Sequence, residues 1–389
     1  MTTDPRPWYF VSVVWGPLYR TLFMDCLMSS LLADGNLPAL TAFPHKYLLL
    51  CTTPEDYLWI EQHPLWLDVQ RYVQPMFMPV EPGTGHTTNC KAMSKGHLAA
   101  SKFIYEQGGL ATYLCPDAIW SNGSLRYLQA QALQQVPCVL ATAVRHSLEG
   151  VVDALSMDGY LYTGQPLTIE AGALARIGCA HLHPETKTYN WEERFFSYVP
   201  VCVYWPMPQD GGLVMFSQSW GPVLLDYRFI QMHDTHALET WTMDGNYIYA
   251  NLQPEQVVAV HDSDDVLVVS LTKEATLIPR RRTNKAKASS VRCVAYSSIM
   301  DPLKQRLLRR PVRWHVQALN ADWREREVAY TVYFLALLGT ARRWYDDLWR
   351  RWQMVRMRER LPIWYLLYIR SLWAGRPSNE DCQAWLQNE

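Results

Sequence analysis

The sequence lacks the features that would mark a disulfide-bonded or secreted protein. It has nine cysteines but no C-x-x-C pair, and an odd, dispersed set within apolar runs indicates reduced, buried thiols. The N-terminus has no basic stretch followed by a long apolar run, so we expect no secretory signal. The longest nearly uncharged apolar run late in the chain, residues 328–341, is shorter than the ~20 residues that span a bilayer. We therefore expect a cytoplasmic protein, with the inner face of a membrane as an alternative location.

Several catalytic and nucleotide-binding signatures are also missing. Neither G-x-G-x-x-G nor G-x-x-x-x-G-K-[ST] occurs, which disfavours dinucleotide-binding and P-loop proteins. No G-x-S-x-G occurs either, so serine-hydrolase chemistry has no support. Charged residues make up only 19% of the chain and the formal net charge is -1. Because no overall charge attracts a polyanion, we expect no nucleic-acid partner.

What the chain has in quantity is apolar and aromatic side chains. Hydrophobic residues make up 49% of 389, which is enough to build a large core and offset the entropy of ordering. The 17 Trp and 22 Tyr fit a large core, a cleft that stacks rings, or a membrane-facing surface. Composition does not choose among these three.

The first 150 residues alternate between two kinds of pattern. Short apolar runs predict strands at residues 8–15, 47–51, 68–80, 111–115 and 137–144. Helical spacing predicts helices at residues 18–32, 94–107 and 124–134, and a further helix opens at Thr53 and Pro54. Such alternation predicts an α/β protein with a mostly parallel sheet and right-handed crossovers.

The pattern changes after residue 150. Short strands are predicted at residues 199–204, 213–216, 247–250 and 266–271, separated by turn-rich segments, and from residue 301 the chain reads as helical. We therefore expect three regions: an α/β nucleotide-binding-like half (1–150), a mixed α/β half of the same domain (151–300) and a helical C-terminal region (301–389).

Three positions in the first half are candidates for nucleotide binding. Trp15 ends the first predicted strand and Gly16 begins the turn after it, where α/β proteins place nucleotides, although an ordinary turn fits equally. Asp117 follows the strand at 111–115, so its carboxylate can hold a divalent cation that bridges a diphosphate; alternatively it caps a turn. Lys95, at the start of the helix at 94–107, is placed to meet a phosphate.

The second half offers two further candidates and an acidic segment. His181 and His183 would point to one face of an extended segment and could bind a metal or a phosphate, or serve structure alone. Asp244 precedes Gly245 in a turn pattern and could line an acceptor pocket. The segment 261–265, His-Asp-Ser-Asp-Asp, could bind a cation but lacks calcium-loop spacing and also fits a solvated turn.

The order of elements resembles GT-A-type glycosyltransferases, which use nucleotide-sugar donors. The resemblance lies in the N-terminal strand and its helix YRTLFMDCLMSSLL, in the strand that ends YLCPD, and in the later strand VPCVLATAV. It implies a GT-A-like (Rossmann-like) mixed sheet flanked by helices, with Asp117 at the first position of the family's Asp-x-Asp. Ile119 stands at the second acidic position, which leaves metal dependence open.

The resemblance implies transfer of a sugar from a nucleotide-sugar to a glycan or lipid-linked acceptor. Asp117 and His183 would hold a divalent cation (Mg²⁺ or Mn²⁺), His181 would assist the leaving group, and Asp244 would act as acceptor base, with residues 151–300 on the acceptor side. The rival hypothesis is a non-catalytic module that binds carbohydrate or protein through an aromatic-rich surface.

The C-terminal region carries a basic segment with tryptophans. Between residues 341 and 370 there are eight arginines against three acids, Asp346, Asp347 and Glu359. The arginines are Arg342, Arg343, Arg350, Arg351, Arg356, Arg358, Arg360 and Arg370. Helical spacing puts Trp344, Leu348, Trp352 and Val355 on one face. The pattern predicts binding to an anionic membrane surface, or a helix packed on the domain with its arginines reaching water.

Overall fold

The computed structural model describes residues 3–82, 86–142, 144–194, 196–197, 200–276, 282–283, 291–292, 294–296, 298 and 301–359. Its strands are β1 (Trp8–Val13), β2 (Lys46–Thr52), β3 (Gln74–Pro79), β4 (Leu110–Leu114), β5 (Ala118–Trp120), β6 (Cys138–Thr142), β7 (Arg145–Ser147), β8 (Phe196–Ser197), β9 (Cys202–Met207), β10 (Gly212–Ser217), β11 (Trp220–Asp226), β12 (Val257–Ala259), β13 (Val268–Thr272), β14 (Arg282–Thr283) and β15 (Val312–Trp314).

The helices lie between these strands and at the end of the described chain. They are α1 (Pro17–Leu22), which continues through a π-helical turn (Phe23–Met28) into α2 (Ser29–Leu31), then α3 (Pro54–Glu61), α4 (Trp66–Gln70), α5 (His86–Gln107), α6 (Ser124–Leu133), α7 (Leu148–Met157), α8 (Ala171–Ala180), α9 (Pro184–Lys187), α10 (Ala237–Thr240), α11 (Gly245–Asn251), α12 (Pro302–Leu307) and α13 (Ala321–Glu359). Short 3₁₀ turns occupy Leu37–Ala39, Tyr227–Phe229 and Pro254–Gln256.

The largest sheet has seven strands in the order β12-β6-β11-β4-β1-β2-β3. The strands β3, β2, β1 and β4 are parallel, β11 is antiparallel to both β4 and β6, and β12 is parallel to β6. The predicted class is therefore confirmed: the chain is an α/β protein with a mixed sheet flanked by helices and a helical C-terminal region. Strands from both sides of residue 150 build this one sheet.

The central strand β1 is buried along its whole length, as its unbroken apolar sequence predicts. Its alternate side chains enter two different cores: Tyr9 and Val11 face one, and Trp8 and Phe10 face the other. Helix α5 packs closely on this strand because Gly96 has no side chain. A Cβ at Gly96 would stand 3.0 Å from both methyl groups of Val13.

Smaller sheets complete the architecture. A three-stranded sheet, β5-β13-β7, uses the strands that follow β4 and β6, so it lies beyond the carboxyl edge of the large sheet. A second, β15-β10-β9, packs against α13 through aromatic side chains, with the rings of Phe216 and Phe334 stacked 4.2 Å apart. The pair β14-β8 forms a two-stranded ribbon.

Three predicted elements differ from the structure. Residues 247–250 lie in helix α11 rather than a strand, because the Asp244 side chain accepts the backbone N–H of Asn246 and caps the helix. The strand predicted at 68–80 is the end of α4 followed by the shorter β3. Helix α5 begins at His86, eight residues before the predicted start, so Lys95 lies within the helix rather than at its N-terminus.

Helix α13 contains the described part of the basic segment. Phe334, Ala341 and Tyr345 are buried in an aromatic core, and Trp344 packs against that core. Trp349 is 56% exposed, and its ring stacks on that of Trp352 at 4.4 Å. Arg360 and Arg370 lie outside the described residues. Across the residues that the structure covers, we find no helix with the length and apolar character needed to span a bilayer.

Candidate functional site

The turn after β1 is tied to helix α3 by a buried carboxylate. The Gly16 N–H donates to Asp56 at 2.9 Å, and Asp56 also accepts from Arg20 at 2.9 Å and from the Thr53 hydroxyl at 2.8 Å. Gly16 has φ +81° and ψ 156°, a conformation essentially restricted to glycine. This N–H is therefore committed to the protein, whereas Trp15 next to it is half-buried against the core.

Asp117 lies between β4 and β5, at the carboxyl edge of the parallel strands. Its carbonyl accepts the backbone N–H of Leu271 at 2.7 Å, which holds the turn in place. Within the described residues its carboxylate has no ion-pair partner. Burial raises the pKa of Asp117 to about 6, and Arg145 opposes that rise. A carboxylate held at a strand end without a neutralising partner is suited to bind a cation.

Tyr19 and Arg145 interact electrostatically with Asp117. Burial raises the pKa of Tyr19, the charge of Asp117 raises it further, and Arg145 lowers it. The Tyr19 side chain is nevertheless 46% exposed. A carboxylate, a phenol and a guanidinium are therefore close enough at the sheet edge to influence one another's charge.

Arg145 is the residue of this group that the sequence analysis missed. It begins β7, and its Nη1 donates to Glu185 Oε2 at 3.0 Å. Glu185 is 5% exposed and its other oxygen accepts the Tyr189 hydroxyl at 2.7 Å. The signal was present in the sequence, because a lone arginine follows the buried strand β6 at the edge that also carries Asp117.

The two histidines do not share one face of an extended segment. His181 follows the last turn of α8, and a Cβ on Gly150 would stand 2.5 Å from its Nδ1. His183 is fully buried and caps α9: its Nδ1 accepts the Glu185 N–H at 3.1 Å, and its Nε2 lies 3.1 Å from the Lys273 carbonyl. Metal ligation by His183 would require one of these bonds to break.

Asp244 is held in a second environment, on the side of α5. Its Oδ1 accepts the Asn246 N–H at 2.8 Å, and burial raises its pKa while that N–H and the charge of Lys304 lower it. The neighbouring Met243 N–H donates to His97 Nδ1 at 3.0 Å, and the His97 ring contacts Tyr113 of β4 edge-on. Lys95, two residues from His97, is exposed.

A third cluster lies beyond the end of β12. One ligand atom from each of Asp262, Asp264 and His315 lies within 4.8 Å of the others, so the three can hold a metal ion. Two of these side chains belong to the acidic segment 261–265. His315 was not identified from the sequence because it lies about fifty residues away and meets the acids only through the pairing of folded segments.

Comparison with known proteins gives limited similarity. No protein-family model matches the chain, and no curated protein sequence matches it. Among solved structures, the chain is similar to TarS of S. aureus, a glycosyltransferase, with 12% identity and a TM-score of 0.25 over 36% of this chain and 22% of that one. It is also similar to 4-diphosphocytidyl-2C-methyl-D-erythritol synthase of Anaerococcus prevotii, a nucleotidyltransferase, with 10% identity and a TM-score of 0.23 over 37% of this chain and 57% of that one. The chain thus spans less than two thirds of either protein, and similarity of this extent identifies neither a substrate nor a reaction.

Proposed function

We propose that the chain is a glycosyltransferase that binds a nucleotide-sugar at the carboxyl edge of its large sheet. The observation that carries the proposal is the Asp117 carboxylate after the end of β4, which interacts electrostatically with Tyr19 and Arg145 and has no ion-pair partner in the described chain. Open α/β sheets bind ligands at this edge. Of common metabolites, a nucleoside diphosphate with its divalent cation matches both the carboxylate and the guanidinium.

The proposed chemistry assigns a task to each charged group. Asp117 would hold Mg²⁺ or Mn²⁺, since hard cations prefer oxygen ligands, and the cation would supply positive charge for the diphosphate. Arg145, oriented by Glu185, stabilises negative charge on the leaving diphosphate. In this proposal the part of the site that binds the nucleotide-sugar also includes Trp15, Gly16 and Lys95.

We propose that the acceptor-side roles belong to the candidate residues of the second half of the chain. Asp244 acts as the base toward a glycan or lipid-linked acceptor, and its pKa, raised by burial, suits that task. His181 assists the leaving group. His183 contributes by positioning, because its Nδ1 fixes the backbone of Glu185, which in turn holds Arg145.

A nucleotide screen tests the proposal. We expect UDP, GDP or CDP to raise the melting temperature in the presence of Mg²⁺ or Mn²⁺, because a ligand of the native state adds RT ln(1 + [L]/Kd) to stability. The matched control is the corresponding nucleoside, which lacks the diphosphate and should have little effect. If no nucleoside diphosphate raises the melting temperature with either cation, the donor-site proposal is wrong.

The rival function, a non-catalytic module that binds carbohydrate or protein, would give a different pattern. Such a module would be stabilised by an oligosaccharide or a protein partner and would not respond to nucleotides. The exposed Trp349, stacked on the half-buried Trp352, is the feature of the described structure that favours an aromatic binding surface.

The same tryptophans support recruitment to an anionic membrane surface. Arg343, Arg350 and Arg351 are exposed on α13 near Trp349, and each basic residue near an anionic surface contributes about 1 kcal/mol. We expect sedimentation with phosphatidylserine vesicles that weakens with salt, and little with neutral vesicles.

A double variant tests which charges matter. R350Q/R351Q should lower the vesicle-bound fraction strongly, whereas Arg324→Gln, an exposed position near the start of the same helix, should not. Equal binding by both variants would show that Arg350 and Arg351 do not drive recruitment, and no binding of the wild type at low salt would leave α13 as a packing element only.

A further inference from the structure

We propose that Asp262, Asp264 and His315 bind a first-row transition-metal ion of the zinc class, at a site separate from the one at Asp117. The two places follow different strands at the same edge of the large sheet. Asp262 follows β12 and Asp117 follows β4, which are three strand positions apart, or roughly 14 Å at the usual strand spacing. A cation at one place therefore cannot share ligands with the other.

The distances between the ligand atoms suit a metal. His315 Nε2 lies 2.8 Å from Asp262 Oδ1 and 3.7 Å from Asp264 Oδ2. Bonds of about 2.0–2.2 Å to a tetrahedral zinc place neighbouring ligand atoms roughly 3.3–3.6 Å apart. The observed separations lie on either side of that interval, so insertion of an ion needs His315 Nε2 and Asp262 Oδ1 to move apart by roughly half an ångström.

A hydrogen bond to a backbone carbonyl outside the acidic cluster fixes the orientation of the His315 ring. Its Nδ1 lies 2.8 Å from the Gln317 carbonyl, so this nitrogen carries a proton and donates it. Nε2 is thereby turned toward the two carboxylates, and the ring is held by burial, with the side chain 5% exposed. A backbone carbonyl that accepts from one ring nitrogen while the other faces the ion is the arrangement found around metal-binding histidines.

Access also favours a metal ion. The guanidinium of Arg313 pairs with Asp262 Oδ2 at 2.9 Å and lies 3.6 Å from Glu327, so Asp262 Oδ1 is the oxygen that remains beside His315. Asp264 is 67% exposed, which leaves a path from solvent and room for a water ligand. An imidazole ligand selects zinc and its neighbours, whereas Mg²⁺ and Ca²⁺ prefer oxygen alone.

The ion would join two segments that are about fifty residues apart. The Arg313 N–H donates to the His261 carbonyl at 2.9 Å, and the Ser263 N–H donates to the Arg313 carbonyl at 2.9 Å. Asp262 and Asp264 belong to the first segment and His315 to the second. A metal bound here would connect the end of β12 in the large sheet to β15 in the three-stranded sheet, and so stabilise the contact between them.

Zinc binding by the full chain tests the site. The metal-free protein is titrated with Zn²⁺ against a chromophoric chelator, and its melting temperature is followed in parallel. We expect the wild type to hold one Zn²⁺ that Asp264→Asn binds at least 100-fold more weakly, with the accompanying rise in melting temperature lost. Asp265→Asn, the adjacent acid outside the ligand set, is the matched control and should retain the ion.

The variants separate this inference from the donor site. His315→Gln should also lose the ion, but because the residue is buried the exposed Asp264 variant decides the outcome if that protein fails to fold. Asp117→Asn should keep the zinc, and Asp264→Asn should keep nucleotide binding. Equal Zn²⁺ affinity in the wild type and Asp264→Asn overturns the proposal, whatever the result with nucleotides.

Discussion

Asp117→Asn is expected to remove cation-dependent binding of nucleoside diphosphates without lowering the free energy of unfolding. The carboxylate is the proposed cation ligand, and an amide is a poor substitute because it carries no charge. Loss of the cation ligand should weaken binding of the nucleotide by 100-fold or more, a loss of about 2.7 kcal/mol. Isothermal titration with the nucleotide and cation found in the screen measures the change.

The raised pKa of Asp117 predicts how Asp117→Asn affects the free energy of unfolding. The ordinary pKa of an aspartate is 3.8 and that of folded Asp117 is about 6, so between these values the folded chain holds a proton that the unfolded chain has lost. Stability from this group is therefore present at low pH and declines as the pH rises toward 6. At pH 7 the buried charge costs up to about 3 kcal/mol, so an uncharged asparagine should leave stability equal or higher.

The pH dependence of binding gives an independent check. Protonated Asp117 cannot hold a cation, so nucleotide affinity in Mg²⁺ or Mn²⁺ should fall as the pH is lowered through about 6. Asp153→Asn, the same change at an exposed position, serves as the control and should behave as wild type. If Asp117→Asn binds nucleotide normally, Asp117 lies outside the donor site.

Asp226→Asn is expected to cost about 3–5 kcal/mol of unfolding free energy, because it removes the fully buried one of the two carboxylates that neutralise Arg6. Asp226 is fully buried at the end of β11. It forms a salt bridge with Arg6, whose side chain is 11% exposed, and a second at 2.7 Å with Arg228. Arg6 also pairs with Asp4 and donates to the Ala132 carbonyl at 2.9 Å.

A surface pair of the same residue types provides the control. Asp158 and Arg176 lie 2.6 Å apart, but their side chains are 37% and 52% exposed. Asp158→Asn should therefore cost no more than about 1 kcal/mol. Urea unfolding of both variants gives the comparison. Similar small losses at both positions would show that Arg6 and Asp4 compensate for the missing charge.

Local patterns in the sequence predicted the parallel core of the fold. The uniformly apolar residues of β1 have the length and burial of a central strand, and Thr53 caps α3 as expected. Asp117 was found for the same reason, since a buried strand delivers the next polar residue to a known edge. These inferences needed only neighbours in sequence.

The features that were missed depend on partners far along the chain. Strand β11 contains Gly221 and Pro222, residues that are uncommon in strands, so the sequence did not predict it. The strand is stabilised by its pairing with β4 on one side and β6 on the other. His315 joins the acidic segment only because the backbone of Arg313 pairs with residues 261 and 263. An Asp-Gly pair such as Asp244-Gly245 occurs both in turns before strands and at the start of helices. In the structure Asp244 caps α11, so the strand predicted at residues 247–250 was wrong.

The position of β11 limits how much of the large sheet can form while the chain is still being synthesised. Its residues Leu225 and Asp226 pair with Ala111 and Leu110 of β4, more than a hundred residues earlier. Until residue 226 has left the ribosome, one edge of β4 is unpaired. Strands β6 and β12 cannot join the sheet before then, because β11 lies between them and β4. An exposed apolar edge invites pairing with other chains. A nascent chain of about 200 residues should therefore depend on chaperones, and a truncated product that ends before β11 should aggregate rather than persist as a separate nucleotide-binding unit.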